Sequence, residues 1–415
     1  MDEALLNELC GPTGDAIFAQ IQMLGERDPQ RAADPLAASA ALRKLGYAPH
    51  LVSAALTQAR LREKATLKLG PFAQRMFFTQ DGVEQATRLT VAAHHARRFL
   101  SAQITKVADL TCGVGADSMA FAALGLDVLA TDIDPLTASI AAQNLLPFPN
   151  AQVRCGNGLD TDFAAEQVEG IFADPARRDG TGRRIFSPDH YAPPLDAVWD
   201  LRDRVQGVGI KVGPGIPREA VPDGCEAQWV SLDGDVVEAG LWFGSVATRV
   251  GLGALVLRTQ ADGSQLATEY VGSGATTAPH ISLSSQLLEF VHEPDGAIIR
   301  AGLVADLALD AHGALLDPTI AYFTSSEALV TKPGDAQPLT RAYRVVDAIP
   351  YNVKALRAYL KERRVGRVTI KKRGIDVTPE QLRPQLALKG PEEATIILTR
   401  VNDAKTAIIV EPSAQ

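Results

Sequence analysis

The run Asp109-Leu110-Thr111-Cys112-Gly113-Val114-Gly115-Ala116-Asp117 follows the apolar pair Val107-Ala108. A strand that ends in a glycine turn and opens a helix lets backbone approach a ligand, because glycine lacks Cβ and tolerates positive φ. It also leaves N–H groups free at the helix start. A tight turn with no ligand reads the same way, so the other stretches must decide. Val128-Leu129-Ala130-Thr131-Asp132-Ile133-Asp134-Pro135 ends a second apolar run in an acid 17 residues past Gly115. An acid there can accept hydrogen bonds from both hydroxyls of a ribose. The competing role, capping the next helix, falls more naturally to Asp134, directly before a proline. A third run, AQVRC, leads into Gly156-Asn157-Gly158-Leu159-Asp160, where the Asn157 amide oxygen is an acceptor and Asp160 a competing one. A fourth ends in Ala173-Asp174-Pro175-Ala176-Arg177-Arg178, at the carboxyl edge where open α/β sheets bind ligands. A phosphate-binding loop needs GxxxxGK(S/T), which is absent. A nicotinamide site wants GxGxxG, whereas Ser118 holds the last position.

The elements that must position these residues alternate. Short apolar runs at KVADLT, DVLATD, AQVRC, GIFADP and GVGIKV are separated by helical stretches at 116–124, 136–146, near 160 and at 193–205. That rhythm predicts a doubly wound, mostly parallel α/β sheet. AQWVSL and VVEAGLWFG around Asp233-Gly234 predict an antiparallel hairpin. Residues 1–84 read as a helical segment. A further helix is expected from Asp81 as N-cap, with Glu84 completing a capping box. Its expected inner face is Val83, Ala86, Thr90, Ala93, Ala96 and Leu100. Residues 246–338 read as a connector or sheet extension, and 339–415 as a small α/β domain.

Composition bounds the rest. Hydrophobic residues make up 46% and charged ones 22%, a globular balance, and no apolar stretch is long enough for a membrane span. The acidic start MDEALLNELC does not resemble a secretory signal. Cys10, Cys112, Cys155 and Cys225 form no CxxC pair, so a reducing, cytoplasmic setting is expected. His94 and His95 are adjacent, hence about 100° apart on a helix, and no metal site is expected. The net charge of −8 is uneven: residues 341–390 carry 13 Lys/Arg against 4 Asp/Glu, a local +9 that leaves −17 elsewhere. A basic module on an acidic body suggests a polyanionic partner; a solvated basic face is the plain alternative.

The combination of DGVEQAT (81–87), DLTCGVGAD (109–117), DIDP (132–135), ADPARRDGTGRR (173–184) and YAPPLD (191–196) resembles class I S-adenosylmethionine-dependent methyltransferases. It looks like a bacterial subgroup with an N-terminal helical segment and a C-terminal THUMP-like domain. PYN, IKKRG and ATIILTRV carry that second likeness. The resemblance implies a Rossmann-like sheet over 85–245 that ends in an antiparallel hairpin, with S-adenosylmethionine as cofactor. It implies cofactor contacts at Asp109, Thr111, Gly113, Gly115, Asp132, Ile133, Asn157 and Gln85, with Thr87 a further candidate. It also implies an RNA substrate, tRNA or rRNA. Asp174 and Pro175 then orient the acceptor, with Arg177 and Arg178 beside them.

In amine-methylating members the fourth loop reads (D/N)PP(Y/F). Here it reads DPARR, without the aromatic that would stack on a base. Arg177 and Arg178 can instead grip a phosphate or carboxylate, or pair with Asp179. Tyr191 or Phe186 is a candidate for the stacking, and Lys211 ends the fifth strand beside the expected pocket. Lys371, Lys372 and Arg373 are the expected phosphate contacts. A non-catalytic RNA-binding protein and a methyltransferase of small molecules or proteins are the competing readings. The sequence leaves the oligomeric state open.

Overall fold

The computed structural model describes residues 1–177, 191–272, 283, 286–328 and 339–413. It divides into two compact units, one of residues 1–212 with 241–248, the other of 213–240 with 249–415.

The first unit opens with helices α1 (Glu3–Leu9), α2 (Pro12–Arg27), α3 (Pro29–Ala33), α4 (Pro35–Lys44) and α5 (Pro49–Leu69). Asp2, Asp28 and Asp34 each accept a first-turn N–H, and proline opens α2 to α5. Both devices satisfy or remove donors that a helix start leaves orphaned. Leu6, Leu9, Ile17, Leu51, Leu61 and Leu69 are buried in the core of this unit.

The expected helix from Asp81 is instead two. In α6 (Gln80–Gln85) the cap is Thr79, whose Oγ1 accepts the Gly82 N–H at 2.9 Å. Asp81 lies inside the first turn, and Glu84 bonds Gln80 rather than closing a capping box. The chain is extended at Ala86 and Arg88 before α7 (Leu89–Ser101) begins. The Lys68 ammonium takes the carbonyls of Glu84 and Ala86, satisfying the end of α6 without helix continuation. The break rotates the buried face: α7 buries Val91, Ala92, His95, Ala96 and Phe99, while Leu100 is exposed.

The sheet of this unit holds β1 (Lys106–Asp109), β2 (Asp127–Asp132), β3 (Ala151–Cys155) and β4 (Gly170–Ala173). A two-residue pair, β5 (Ala176–Arg177) with β6 (Tyr191–Ala192), stands apart, and β7 (Gly207–Val212) completes the parallel set. The order is β7-β4-β1-β2-β3, all parallel, with the end of β9 (Asp235–Gly244) beside β7. The chain winds outward from β1 to β3, then restarts at β4 on the other side. The loops after β1 and β4 therefore diverge at the strands' carboxyl ends, and a crevice opens there. Helices α8 (Ala116–Ala123), α9 (Pro135–Leu145) and α10 (Leu195–Trp199) complete the α/β layers. Asp134 caps α9 as expected, accepting the Thr137 N–H at 2.8 Å. Phe99 of α7 and Phe121 of α8 pack edge-on at 5.4 Å, Phe121 lies against Phe172 of β4, and Phe172 against Trp242 of β9.

In the second unit β8 (Glu226–Leu232) turns through Asp233 and Gly234, both at positive φ, into the first part of β9. Two positive φ values suit the turn that matches strand twist in a two-residue hairpin. β10 (Gly251–Thr259) runs parallel to β8 and antiparallel to β11 (Gln265–Val271). The remaining strands are β12 (Phe290–Pro294), β13 (Ala314–Asp317), β14 (Ile320–Ser325), β15 (Thr340–Pro350), β16 (Val365–Lys372), β17 (Glu392–Val401) and β18 (Ala404–Pro412). They form one sheet ordered β13-β14-β12-β15-β18-β17-β16. Strands from the stretch expected as a connector thus share a sheet with the last four. The helices of this unit are α11 (Gly296–Ala301), α12 (Val304–Asp310), α13 (Val353–Glu362) and α14 (Pro379–Leu386). Leu356 and Leu360 of α13 and Leu382 and Leu386 of α14 are buried in one hydrophobic cluster with residues of β16 and β17. No helix among the described residues is long and apolar enough to cross a membrane.

Candidate active site

Three strand tips meet at a cavity of about 400 Å³ in the first unit. After β1, the loop turns through Gly113 (φ 55°) and Gly115 (φ 87°) into α8. Both values lie in the left-handed region that favours glycine. The loop is tied to β2: Cys112 donates its N–H to the Thr131 carbonyl at 2.9 Å, and Gly113 to Asp132 Oδ2 at 3.1 Å. The other Asp132 oxygen accepts the Asp134 N–H at 2.9 Å. Burial raises the Asp132 pKa, against the pull of these two hydrogen bonds. A carboxylate held by one N–H on each oxygen keeps a free lone pair on each for a diol.

Gly158 is required by close approach. A Cβ there would sit 2.6 Å from Thr131 Oγ1 and 2.8 Å from the Leu110 carbonyl. Any larger residue would wedge the tips of β1 and β2 apart.

Asp109 lies below this turn, fully buried. Its Oδ2 accepts the Ser118 hydroxyl at 2.6 Å and its Oδ1 the Thr111 N–H at 3.4 Å. Burial pushes its pKa up to about 7, and the charges of Asp117 and Asp174 add to the rise. A folded-state value above the roughly 3.9 of an unfolded aspartate means the native state binds the extra proton. Stability then falls as pH rises from about 4 to 7 and levels off above. Asp109→Asn should flatten that part of the profile and remove a cost on the order of a few kcal/mol at pH 8. Urea unfolding of both proteins at pH 5 and pH 8 checks it; equal slopes would contradict it.

The β4 edge of the cavity is more elaborate. The Asp174 N–H donates to Thr111 Oγ1 at 2.7 Å, joining the β4 tip to the β1 loop. Lys211, near the end of β7, places Nζ 2.5 Å from Asp174 Oδ2 and 2.8 Å from Thr87 Oγ1. Thr87 donates to Asp117 Oδ2 at 2.6 Å, and Asp117 Oδ1 meets His95 Nδ1 at 2.8 Å. Burial would raise the Asp117 pKa, but the His95 hydrogen bond and charge, the Lys211 charge and the Thr87 hydroxyl hold it below the usual range. His95 is buried beside Phe172 and Trp242, with ring centroids at 5.1 and 5.6 Å.

Most expected site residues come together. Asp109, Thr111, Gly113 and Asp132 line the cavity, as do Ile133, Asn157, Gln85 and Asp174. Ile133 is 74% exposed, an apolar rim beside Asp132. Asn157 Oδ1 already accepts the Leu159 N–H at 3.2 Å, so only its second lone pair and its amide protons face a ligand. Gly115 shapes the turn without lining the cavity, and Pro175 is buried behind it. The backbone of Arg177 pairs with Tyr191, while Arg178 and Phe186 lie outside the described residues. Tyr191 does not supply a stacking surface: it is 2% exposed, and Ala192, Pro193 and Pro194 form the wall instead. His95 and Asp117 went unsuspected as site residues. Asp117 stands inside the quoted glycine motif, but nothing local to it signals a partner 22 residues away.

Among the described residues, the cavity lining contains Asp109, Asp117, Asp132 and Asp174, with Lys211 paired to Asp174. Such a lining complements a cationic ligand with an adenosine-like diol. A crevice of this chemistry at the switch point of a parallel sheet defines a nucleotide-cofactor enzyme of the Rossmann-like class.

Comparison with known proteins agrees. An "Uncharacterized S-adenosylmethionine-dependent methyltransferase" of Mycobacterium tuberculosis H37Rv is 30% identical over 380 residues, 88% of this chain and 98% of the relative. Its counterpart in strain CDC 1551 matches equally. A crystal structure of a candidate methyltransferase from Porphyromonas gingivalis W83 shares the fold, with a TM-score of 0.75 at 19% identity, covering 96% of this chain and 98% of that one. The family described as "THUMP domain-like" matches residues 340–412, and a domain of unknown function matches residues 2–65. The chain belongs to the S-adenosylmethionine-dependent methyltransferases. S-adenosylmethionine is its methyl donor.

Proposed function

We propose that this enzyme methylates RNA, tRNA or rRNA, at a neutral acceptor presented to Asp174. The methyl-donor half is residues 85–245, with Asp132 binding the ribose and Ile133 and Asn157 flanking the base. Gly113, Gly115 and Thr111 shape the turn for the amino-acid end of the donor, and Gln85 closes over it. The bound donor supplies a methyl group on a positively charged sulfur. The acceptor's lone pair forms the new bond to carbon as the carbon–sulfur bond breaks, with its electron pair going to sulfur. The proton displaced from the acceptor leaves to water. Asp174 accepts a hydrogen bond from the acceptor and aims its lone pair; positioning of this kind supplies most of the rate when the leaving group is already activated.

The observation that carries the RNA reading is the THUMP-like match over residues 340–412, which coincides with the basic part of the chain. The expected phosphate contacts need redistribution. Lys371 is half-buried, with Nζ 2.6 Å from Glu293 and 5.3 Å from the Tyr343 ring. The Arg373 guanidinium lies 5.2 Å over Tyr322. Lys372 is exposed, and Lys354, Arg357 and Lys361 are exposed along α13 at helical spacing. This stripe is the better phosphate ladder.

Changing Lys354, Arg357 and Lys361 to alanine should weaken binding of total tRNA about 10- to 100-fold at low salt. It should lower the slope of log K against log salt by about 2, since each single-strand phosphate contact contributes about 0.7. Filter binding across a salt series reads it. For the reaction itself, the test is transfer of labelled methyl groups to total tRNA and rRNA from a strain lacking the protein, followed by nucleoside mass spectrometry. Labelled nucleosides support the reading. Label confined to small molecules or protein overturns it.

A further inference from the structure

The cavity takes part of its lining from α6 and the link after it, at Gly82, Gln85, Ala86 and Thr87, and part from the glycine turn, at Gly113 and Val114. What holds the first piece against the second lies outside the cavity. Residues 76–79, which lead into α6, are extended at Met76 and Thr79, and Met76, Phe77 and Phe78 are buried. A buried extended segment needs partners for its N–H and carbonyl groups, and a neighbouring strand is the usual source. Here side chains take that place. Arg62 of α5 donates from Nε to the Met76 carbonyl at 2.8 Å. Gln58 of α5 serves both groups of Phe78, donating to its carbonyl at 2.8 Å and accepting its N–H at 3.0 Å. Asn144 of α9 does the same for Phe77, accepting its N–H at 2.7 Å and donating to its carbonyl at 3.0 Å.

Asn144 also donates to the Val114 carbonyl, in the glycine turn, at 2.8 Å. The residue is buried, and both protons of its amide are thereby used. One side chain therefore ties the segment leading into α6 to the turn that follows β1. A second contact between the same two pieces is steric. A Cβ on Gly82 would lie 2.5 Å from Val114 Cγ1, so α6 rests directly on the turn.

We propose that Asn144 is a positioning residue for the methyl donor: through Phe77 and Val114 it sets the separation between α6 and the glycine turn, and with it the fit of the donor's amino-acid end. The proposal rests on the reading that this end lies between the glycine turn and Gln85. Asn144 is not part of the cavity lining, so it acts only through the backbone it joins. Removing its amide leaves buried backbone groups that must move to find new partners. Movement of α6 off the turn opens the cavity on that side. The ribose side is held by the Cys112–Thr131 and Gly113–Asp132 bonds, in which Asn144 takes no part. The effect is therefore selective for one end of the ligand.

The test uses the full chain and two ligands, S-adenosylhomocysteine and 5′-methylthioadenosine. Both carry the adenosine and the sulfur, and only the first carries the amino-acid end. Calorimetric affinities are compared for the native protein, Asn144→Leu and Gly82→Ala. In Asn144→Leu, S-adenosylhomocysteine should weaken about tenfold while 5′-methylthioadenosine stays within about twofold of native. Gly82→Ala wedges the same two pieces apart by a methyl group with Asn144 in place, and should give the same selective loss. It supplies the answer if Asn144→Leu does not fold. Native affinity for both ligands in either folded variant, or an equal loss of both, overturns the proposal. A purely structural role changes how much protein folds, not which ligand the folded protein prefers. If the native protein binds the two ligands alike, the placing of the amino-acid end at the turn fails, and the proposal fails with it.

Discussion

Asp174→Ala should lower methyl transfer on the order of 10²- to 10³-fold while leaving S-adenosylmethionine affinity within a few-fold of native. The reasoning is geometric. The Asp174 backbone, not its side chain, joins the β4 tip to Thr111. Removing the carboxylate therefore spares the loop that shapes the methyl-donor half. It removes the group proposed to orient the acceptor and breaks its ion pair with Lys211, whose bond to Thr87 stays. Single-turnover transfer with saturating cofactor separates the two effects. A parallel loss of cofactor affinity would place Asp174 in the donor half and contradict the assignment.

Asp132→Ala should show the complementary pattern, a loss of S-adenosylmethionine affinity of about 3 kcal/mol, or roughly a hundredfold in Kd. Each carboxylate oxygen holds one loop N–H, from Gly113 and from Asp134, and on the proposed reading its remaining lone pair takes a ribose hydroxyl. Truncation removes both proposed ribose bonds and one of the two ties between the glycine turn and β2, leaving the Cys112–Thr131 backbone bond. Asp132→Asn should fall between, since its amide keeps one acceptor oxygen. Calorimetry with S-adenosylhomocysteine reads the loss. Native affinity in Asp132→Ala would mean that the ribose binds elsewhere.

Much of the turn and cap geometry that lines the cavity was legible because its logic is local. Gly113, Gly115, Asp132 and the Asp134-Pro135 cap lie within one strand–turn–helix repeat, where residue type dictates backbone conformation over a few positions. The Asp233-Gly234 turn was legible for the same reason. The expected helix from Asp81 failed because two capping schemes compete over three residues. Thr79 offers a hydroxyl at the right spacing, and the deciding partner, Lys68, comes from another helix. The resulting break puts Thr87 in the cavity, where a continuous helix would have carried it past. Thr87, Asp174 and Lys211 were legible singly as candidates, but their linkage through His95 and Asp117 was not: the five span 124 residues and meet only through the sheet topology. No spacing rule connects a lysine at one strand end to a threonine between two helices.

The account turns on one cavity serving both donor and acceptor. A crystal structure of the protein with S-adenosylhomocysteine tests it most directly. The ribose hydroxyls should lie within hydrogen-bond distance of Asp132, with the adenine beside Ile133 and the sulfur facing the Asp174–Lys211 pair. Density for the ligand outside the tips of β1, β2 and β4, or a sulfur turned away from Asp174, would contradict it.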